Sequence, residues 1–212
     1  SRVEGKAEFT KHLIRMRHAG QVQTRPEANE IILINSHDGA SSYQMLAGLF
    51  RYVCQNGLVV GDVVDDIRIP HKGNIQGEVI EGAFRVLDEF EAVNEHTEAM
   101  KALQLQPPEE IAFATAALAL RFGECRVEET GGHRPAPITA EQLIEARRPE
   151  DLGHSLWNVF QRTQENVIRG GQPGRSARGR RLQTRPVGSI DRGVSLNRAL
   201  WMLAEEMRKL KG

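Results

Sequence analysis

The hydrophobic pattern of this chain changes its period after residues 71–73, and that change constrains the fold more than any other feature. Before it, short apolar runs rich in β-branched side chains, such as residues 31–34, are typical of strands. After it, apolar residues recur at intervals of three and four from Ile80 to Leu103, which predicts a long amphipathic helix with acids on its other face. Strands followed by helices predict an α+β fold, with a small, mostly antiparallel sheet in the N-terminal third packed by four to five helices.

Within the first third, residues 3–20 suit either a basic amphipathic helix or a strand with a charged outer face. The strand is favoured, because it would form a hairpin with residues 31–35 across a turn at residues 24–29. Residues 42–47 are expected to return as a strand and to pass into a short helix, because apolar side chains from Leu46 to Cys54 fall at helical spacing. Residues 58–60 and 67–69 read as two further short strands.

Beyond the long helix, helix-breaking and capping residues indicate where the remaining helices begin and end. Pro107 and Pro108 end the long helix, and a second helix is predicted at residues 111–122. Thr139 with Gln142 forms a capping box for a short helix to residue 146, and a fourth helix with an apolar stripe from Leu152 to Val167 ends at Gly170. Ser195 is expected to cap a last helix.

Composition excludes several classes of protein. The 212 residues carry 28 basic and 28 acidic side chains, so no net charge points to a polyanionic partner or a membrane surface. Cys54 and Cys125 lack the spacing of a zinc ribbon or a disulfide scaffold, and no phosphate-loop motif follows a strand, so no cofactor is expected. The cysteine usage favours a reducing cytoplasm, and no apolar run reaches the roughly 18 residues that span a bilayer, so we expect a cytoplasmic protein without a membrane partner.

Charge is nonetheless segregated along the chain. Residues 162–185 carry seven arginines and one acid, and residues 170–186 are rich in Gly and Arg. We predict that residues 170–186 form a flexible loop within a single domain spanning residues 1–212. Arginine presents a planar fork that matches phosphate oxygens, so this loop is the leading candidate for binding nucleic acid. The candidate contacts are Arg175, Arg178, Arg180, Arg181 and Arg185, with Lys72 as a further one.

A second candidate is a group of polar residues near the predicted sheet. His37, Asp38, Cys54 and His71 are residue types that bind metals or act as nucleophile and base, and strand ends could bring them together. The competing interpretation is a turn at His37 and Asp38 and a core thiol at Cys54. An enzyme built on these four residues is therefore an alternative to nucleic-acid binding, and the less favoured one.

Several segments resemble a known family. Residues 35–39 (Asn-Ser-His-Asp-Gly), 51–58 (Arg-Tyr-Val-Cys-Gln-Asn-Gly-Leu) and 67–73 are similar to the YfjQ/YafZ-like family of prophage- and plasmid-borne proteins, a phage/plasmid-like domain of unknown function. The resemblance extends over nearly the whole chain, including residues 164–166, 170–171 and 199–201. It implies a mobile-element habitat and assigns no catalytic residue. Because members carry further N-terminal residues and this chain begins at Ser1, the resemblance also implies an N-terminally truncated piece.

Together these observations predict an accessory protein of mobile elements that binds nucleic acid, for instance by handling or annealing single-stranded DNA. The basic N-terminal strands could add contacts to those of the Arg-rich loop. The order of hairpin, strands and long helix is loosely similar to that of single-strand annealing proteins. A third possibility is a protein-binding module, such as one opposing host defence, that uses the acidic helical face at residues 78–98. Assembly with copies of itself is a further possible partnership.

Overall fold

The fold is α+β, as the sequence predicts. The computed structural model describes residues 2–8, 11–17, 27–36, 42–51, 56–59, 67–69, 75–123, 125–126, 133–134 and 136–212. Six strands come first: β1 (Arg2–Glu8), β2 (Lys11–Arg17), β3 (Glu27–Ser36), β4 (Tyr43–Arg51), β5 (Asn56–Val59) and β6 (Ile67–Ile69). They form one antiparallel sheet in the order β1-β2-β3-β4-β5, in which β6 also pairs with β4.

The helices follow the sheet along the chain. After α1 (Ile75–Ala102) and α2 (Pro107–Phe122) come the two-residue strands β7 (Cys125–Arg126) and β8 (His133–Arg134), then α3 (Ala140–Leu143), a 3-10 turn (Pro149–Asp151) and α4 (Leu156–Arg169). The strands β9 (Pro173–Arg175) and β10 (Arg181–Gln183) precede the last helix, α5 (Ile190–Lys211). The chain divides into two compact units, residues 1–95 with 189–201, and residues 96–188 with 202–212.

Pairing in the sheet confirms the predicted hairpin and adds to it. Strand β2 pairs with β3, so that Leu13 lies opposite Ile34, and β1 adds a further antiparallel strand on the other edge of β2. The short helix predicted near residues 46–54 is wrong, because β4 continues as a strand to Arg51. Seven consecutive residues from Met45 to Arg51 are buried, so both faces of this central strand are covered and its apolar run loses the alternation that marks a strand.

The core of the first unit lies on one face of the sheet. Alternate residues of neighbouring strands meet the first turns of α5 there; the cluster comprises Leu13, Ile32, Ile34, Leu46, Val59 and Ile190, with Val194 packed against it. Helix α5 begins at Ile190, so the predicted cap at Ser195 is wrong. The hydroxyl oxygen of Ser189 instead accepts a hydrogen bond from the backbone N–H of Arg192, the arrangement of an N-cap.

The same sheet face buries a charged triad. Glu30 forms an ion pair with Arg15, whose Nη1 lies 2.6 Å from Glu30 Oε2. The other carboxylate oxygen of Glu30, Oε1, lies 3.1 Å from Nε of Arg17, whose side chain is fully buried. The guanidinium carbon of Arg17 lies 3.7 Å from the ring centroid of Phe50, a cation–π distance. Lys11, in the same strand, pairs with Asp191. These three basic side chains of β2 therefore have carboxylate partners within the fold.

Candidate nucleic-acid interface

The candidate interface is built on helix α4. Ser155 caps this helix, since its hydroxyl oxygen accepts the backbone N–H of Asn158 at 3.1 Å, and the helix ends at Gly170 with a φ of 62°. Its apolar stripe is buried as predicted, whereas Leu152 precedes the helix and is exposed. The chain can therefore turn back at Gly170 and begin a new element.

The middle of α4 buries a run of polar side chains, residues 161–166. Arg162 donates to Glu110 of α2 at 2.6 Å and to the carbonyl oxygens of Asp151 and Gly153. Glu110 also lies 2.7 Å from Nδ1 of His154. Buried charges that are paired and hydrogen-bonded fix the position of the helix, because moving it would leave them uncompensated.

Residues 171–185, which we name the arginine hairpin, fold into an antiparallel pair of strands. Strand β9 pairs with β10 so that Arg175 lies opposite Arg181 and Pro173 opposite Gln183. At the tip, Gly179 donates its N–H to the carbonyl of Ser176 at 2.8 Å and adopts a φ of 73°, which glycine accommodates without strain. The sequence predicts only a loop here, because strands this short and rich in Gly and Arg have no hydrophobic alternation to reveal them.

Buried polar groups hold the base of the arginine hairpin. The hydroxyl of Thr184 donates to Oε1 of Gln172 at 2.7 Å and accepts the backbone N–H of Gln172 at 3.1 Å. The side-chain nitrogen of Gln172 donates to the carbonyl of Asn166, and the Asn166 side chain donates to the carbonyls of Leu143 and Glu145. The hairpin base is thereby joined to α4 and to the segment after α3.

The two faces of the arginine hairpin differ. On the inner face, a β-carbon at Gly174 would stand 2.3 Å from the carbonyl oxygen of Pro137, so only glycine permits this approach. The N–H of Arg175 donates to the same carbonyl at 2.8 Å, and Gln142 donates to the carbonyl of Pro173. Because side chains alternate along a strand, Arg175 and Arg181 lie on the opposite, outer face.

All five arginines proposed for nucleic-acid binding are exposed: Arg175, Arg178, Arg180, Arg181 and Arg185. Among the residues that the structure describes, none of the five forms an ion pair with a carboxylate. The acids that flank the hairpin in sequence are already paired: Glu165 is buried and pairs with Arg148 and Arg169, and Asp191 pairs with Lys11. The hairpin therefore presents positive charge that this part of the fold does not neutralise.

The remaining predicted site residues are those of the alternative enzyme site, together with Lys72. His37, Asp38, Cys54, His71 and Lys72 lie outside the described residues, so their proximity stays a prediction. Within the described ranges, no group of three or more His, Cys, Asp or Glu side chains is arranged to hold a metal ion. Nor does any described helix combine the length and apolar character needed to cross a bilayer.

The residues that hold the hairpin have no role that the sequence alone predicts. Asn166, Gln172 and Thr184 are polar yet buried, and each makes hydrogen bonds across the hairpin base. One signal was present: a run of six polar residues, 161–166, interrupts the periodicity of an otherwise amphipathic helix. Such a run predicts partners on several sides of the helix, although it does not identify them.

Comparison with known proteins places the chain in a family. Residues 1–201 match the family model described as "Domain of unknown function (DUF932)". The chain is 51% identical over 203 residues to the UPF0380 protein YafZ of Escherichia coli strain K12, a match that covers 96% of this chain and 71% of the relative. It is likewise 51% identical over 200 residues to the UPF0380 protein YfjQ of the same strain, covering 94% of this chain and 70% of that protein. No solved structure matches the chain significantly. The chain therefore belongs to the DUF932 family, together with the UPF0380 proteins YafZ and YfjQ.

Proposed function

We propose that this protein binds nucleic acid through the arginine hairpin, as an accessory protein of a mobile element. One observation carries the proposal: five exposed guanidinium groups without a carboxylate partner in the described chain lie on a hairpin whose base is fixed by buried hydrogen bonds. Nucleic-acid affinity derives largely from Lys and Arg that neutralise phosphates. A fixed hairpin loses less conformational entropy on binding than a free loop does.

The side chains of the hairpin favour contacts with the backbone of a nucleic acid over contacts with its bases. Residues 170–188 contain no Phe, Tyr, Trp or His, so this segment offers no aromatic ring on which a base could stack. Arginines contact phosphates with little regard for sequence. We therefore expect binding that depends weakly on base sequence and strongly on salt.

The narrower proposal is that the bound form is single-stranded DNA, which the protein handles or anneals. It is supported by the order of elements, an antiparallel sheet followed by a long helix, which is an analogy at the level of the fold. The basic residues of β2 lend it less support than the sequence suggests, since Lys11, Arg15 and Arg17 each pair with a carboxylate.

The test compares two triple variants that remove equal charge. Arg178→Gln/Arg180→Gln/Arg181→Gln neutralises the hairpin, and Arg85→Gln/Arg192→Gln/Lys209→Gln neutralises exposed cations elsewhere. Affinity for a labelled single strand and for its duplex is measured by fluorescence anisotropy at one salt concentration. We expect the hairpin variant to lose at least about a hundredfold in affinity and the control to lose less than about threefold. Equal losses in both variants would contradict the proposal.

A second candidate function, protein binding, is favoured by one observation on α1. Ile80, Phe84 and Leu87 are 52%, 63% and 46% exposed and recur at helical spacing, whereas Val86 and Val93 are buried on the other side of the helix. The exposed stripe is bordered by acids, among them Glu81 and Asp88. An apolar stripe of this kind marks a site for a partner.

Charge complementarity specifies the partner of this stripe as a protein segment that combines apolar side chains with Lys or Arg. A labelled amphipathic Leu/Lys helical peptide is the probe, and a Leu/Glu peptide of equal length is the control. We expect only the Leu/Lys peptide to bind, Phe84→Ser to weaken it, and Leu152→Ser, which alters an equally exposed leucine, to leave it unchanged. Equal binding of both peptides, or self-association that Phe84→Ser abolishes, would exclude this partner.

A further inference from the structure

We propose that Arg175 and Arg181 together form a seat for a single phosphate group, and that this pair is the strongest anion site of the arginine hairpin. The inference rests on the proposed function and deepens it, because it names the chemical group that is bound and the two side chains that hold it. The ligand class is a phosphate diester of a nucleic-acid backbone. Free phosphates share this chemistry and serve as probes.

The register of the hairpin brings these two arginines together. They are direct partners across β9 and β10. Backbone hydrogen bonds join two other pairs of this ladder: the N–H of Ser176 donates to the carbonyl of Arg180 at 2.9 Å, and the N–H of Thr184 donates to the carbonyl of Gln172 at 3.0 Å. Every second pair of an antiparallel ladder is hydrogen-bonded. Arg175 and Arg181 therefore occupy a non-hydrogen-bonded position, where opposite side chains approach most closely.

The direction of the Arg175 backbone supports the same assignment. Its N–H donates to the carbonyl of Pro137 and thus points away from Arg181, as the non-hydrogen-bonded position requires. The Arg175 guanidinium donates from Nη1 to the carbonyl of Gly179 at 3.2 Å, which holds this side chain toward the hairpin tip. One half of the seat is thereby positioned before any ligand arrives.

Two like charges directly opposite each other destabilise a hairpin unless an anion lies between them. Within the part of the chain that is described, neither Arg175 nor Arg181 has a carboxylate partner. A phosphate supplies oxygens on several sides, so it can accept hydrogen bonds from both guanidinium groups at once. The repulsion between Arg175 and Arg181 thus destabilises the free hairpin, and a bound phosphate relieves it.

The other exposed arginines of the tip lack this arrangement. Arg180 lies opposite Ser176, whose hydroxyl oxygen accepts the Arg180 N–H, and Arg178 lies within the turn. Neither is opposite another cation. We expect Arg178 and Arg180 to contact separate phosphates, each independently of the other.

A double-mutant cycle separates these two kinds of contact. Affinity for a labelled DNA strand is measured for Arg175→Gln, Arg181→Gln and the double variant, and for the matched set Arg178→Gln, Arg180→Gln and their double variant. We expect each change at the seat to cost about tenfold or more and the double variant to cost little beyond either single one. The costs of the two tip changes should multiply instead.

A second measurement does not depend on nucleic acid. Inorganic pyrophosphate, compared with chloride at equal ionic strength, should raise the thermal midpoint of the wild type and of Arg178→Gln/Arg180→Gln, since a ligand of the native state stabilises it. It should raise the midpoint of Arg175→Gln and Arg181→Gln clearly less. The free forms of these two variants should be at least as stable as the wild type, because the opposed charges are relieved.

The outcomes distinguish the seat from the proposed function. If the wild type binds DNA but the costs at Arg175 and Arg181 multiply like those at the tip, and pyrophosphate shifts all variants equally, the seat is wrong and nucleic-acid binding stands. If DNA does not bind while pyrophosphate discriminates the seat variants, the seat stands and the proposed function is wrong. If DNA does not bind and pyrophosphate shifts the midpoints of all variants equally, both proposals are wrong.

Discussion

Gly170 and Arg185 approach each other so closely that a β-carbon on Gly170 would lie 2.7 Å from the carbonyl oxygen of Arg185. That carbonyl also accepts a hydrogen bond from Arg121 of α2 at 2.9 Å, and Arg147 donates to the carbonyl of Gly170. The two ends of the arginine hairpin are therefore closed against each other at the end of α4. This closure sets where the hairpin arginines lie.

We predict that Gly170→Ala destabilises the protein by about 2–4 kcal/mol, because it adds a steric clash to a backbone φ of 62° that alanine rarely adopts. The free energy of unfolding is measured by urea denaturation. Nucleic-acid affinity should fall as well, although all five hairpin arginines remain. Two controls apply: Gly179→Ala has the positive φ without the clash, and Gly188→Ala has neither. Equal effects at all three glycines would contradict the role given to the closure.

Thr184→Val keeps the shape of the side chain and removes its hydroxyl. The change leaves Oε1 and the backbone N–H of Gln172 without their partner in a buried site, so we expect a loss of about 1–3 kcal/mol in the free energy of unfolding. Hydrogen exchange should quicken at the hairpin amides in particular. An unchanged exchange rate there would show that the hydroxyl does not hold the hairpin base.

Glu30→Gln is expected to destabilise the fold by about 3–5 kcal/mol, because it removes the buried carboxylate that lies 3.1 Å from the buried guanidinium of Arg17. Urea unfolding measures the loss. Glu78→Gln, an exposed acid on α1, should change stability by less than about 0.5 kcal/mol. If Glu30→Gln were as mild as this control, the triad would not be a structural element of the sheet.

Stability should also depend on pH through Glu109. The backbone N–H of Gln106, which donates to Glu109 Oε2 at 2.6 Å, holds the pKa of this carboxyl below its ordinary value of 4.5, and Lys211 lowers the pKa further. A group with a depressed pKa in the folded state contributes stability above its unfolded pKa and loses that contribution as pH falls through the folded value.

We therefore expect the urea midpoint to fall below pH about 4.5 less steeply in Glu109→Gln than in the wild type. Lys211→Met removes only the second cause, so its curve should lie between the other two. Parallel curves for all three proteins would show that Glu109 does not contribute to acid stability.

The sequence predicts helices and strands well where one face of the element is buried and the other is exposed to solvent. The spacing of apolar residues and the Gly and Pro residues at element ends predict the hairpin of β2 and β3, the long helix α1 and the end of α4 at Gly170. Strand β4 differs from the prediction because both of its faces are covered, which removes the alternation of apolar and polar residues. The cap of α5 was misplaced because two serines, Ser189 and Ser195, precede apolar residues at suitable spacing, and only tertiary packing selects the first.

The candidate site was predictable in composition but not in geometry. The cluster of arginines is evident in the sequence, whereas the register that sets Arg175 opposite Arg181 depends on hydrogen bonds to Pro137 and between Gln172 and Thr184. Pro137 lies 38 residues before Arg175, and Gln172 and Thr184 lie on opposite sides of a turn, so no local pattern reveals these partners.

The salt dependence of DNA binding tests the central claim most directly. If the five hairpin arginines neutralise four phosphates, because Arg175 and Arg181 share one, the logarithm of affinity should fall against the logarithm of salt concentration with a slope of about −3.6 on duplex or about −2.8 on a single strand. Arg178→Gln/Arg180→Gln/Arg181→Gln removes three of these four phosphate contacts and should flatten the slope to roughly −0.9 on duplex or −0.7 on a single strand. Affinity that does not change with salt, or a slope that this variant leaves intact, would contradict the account.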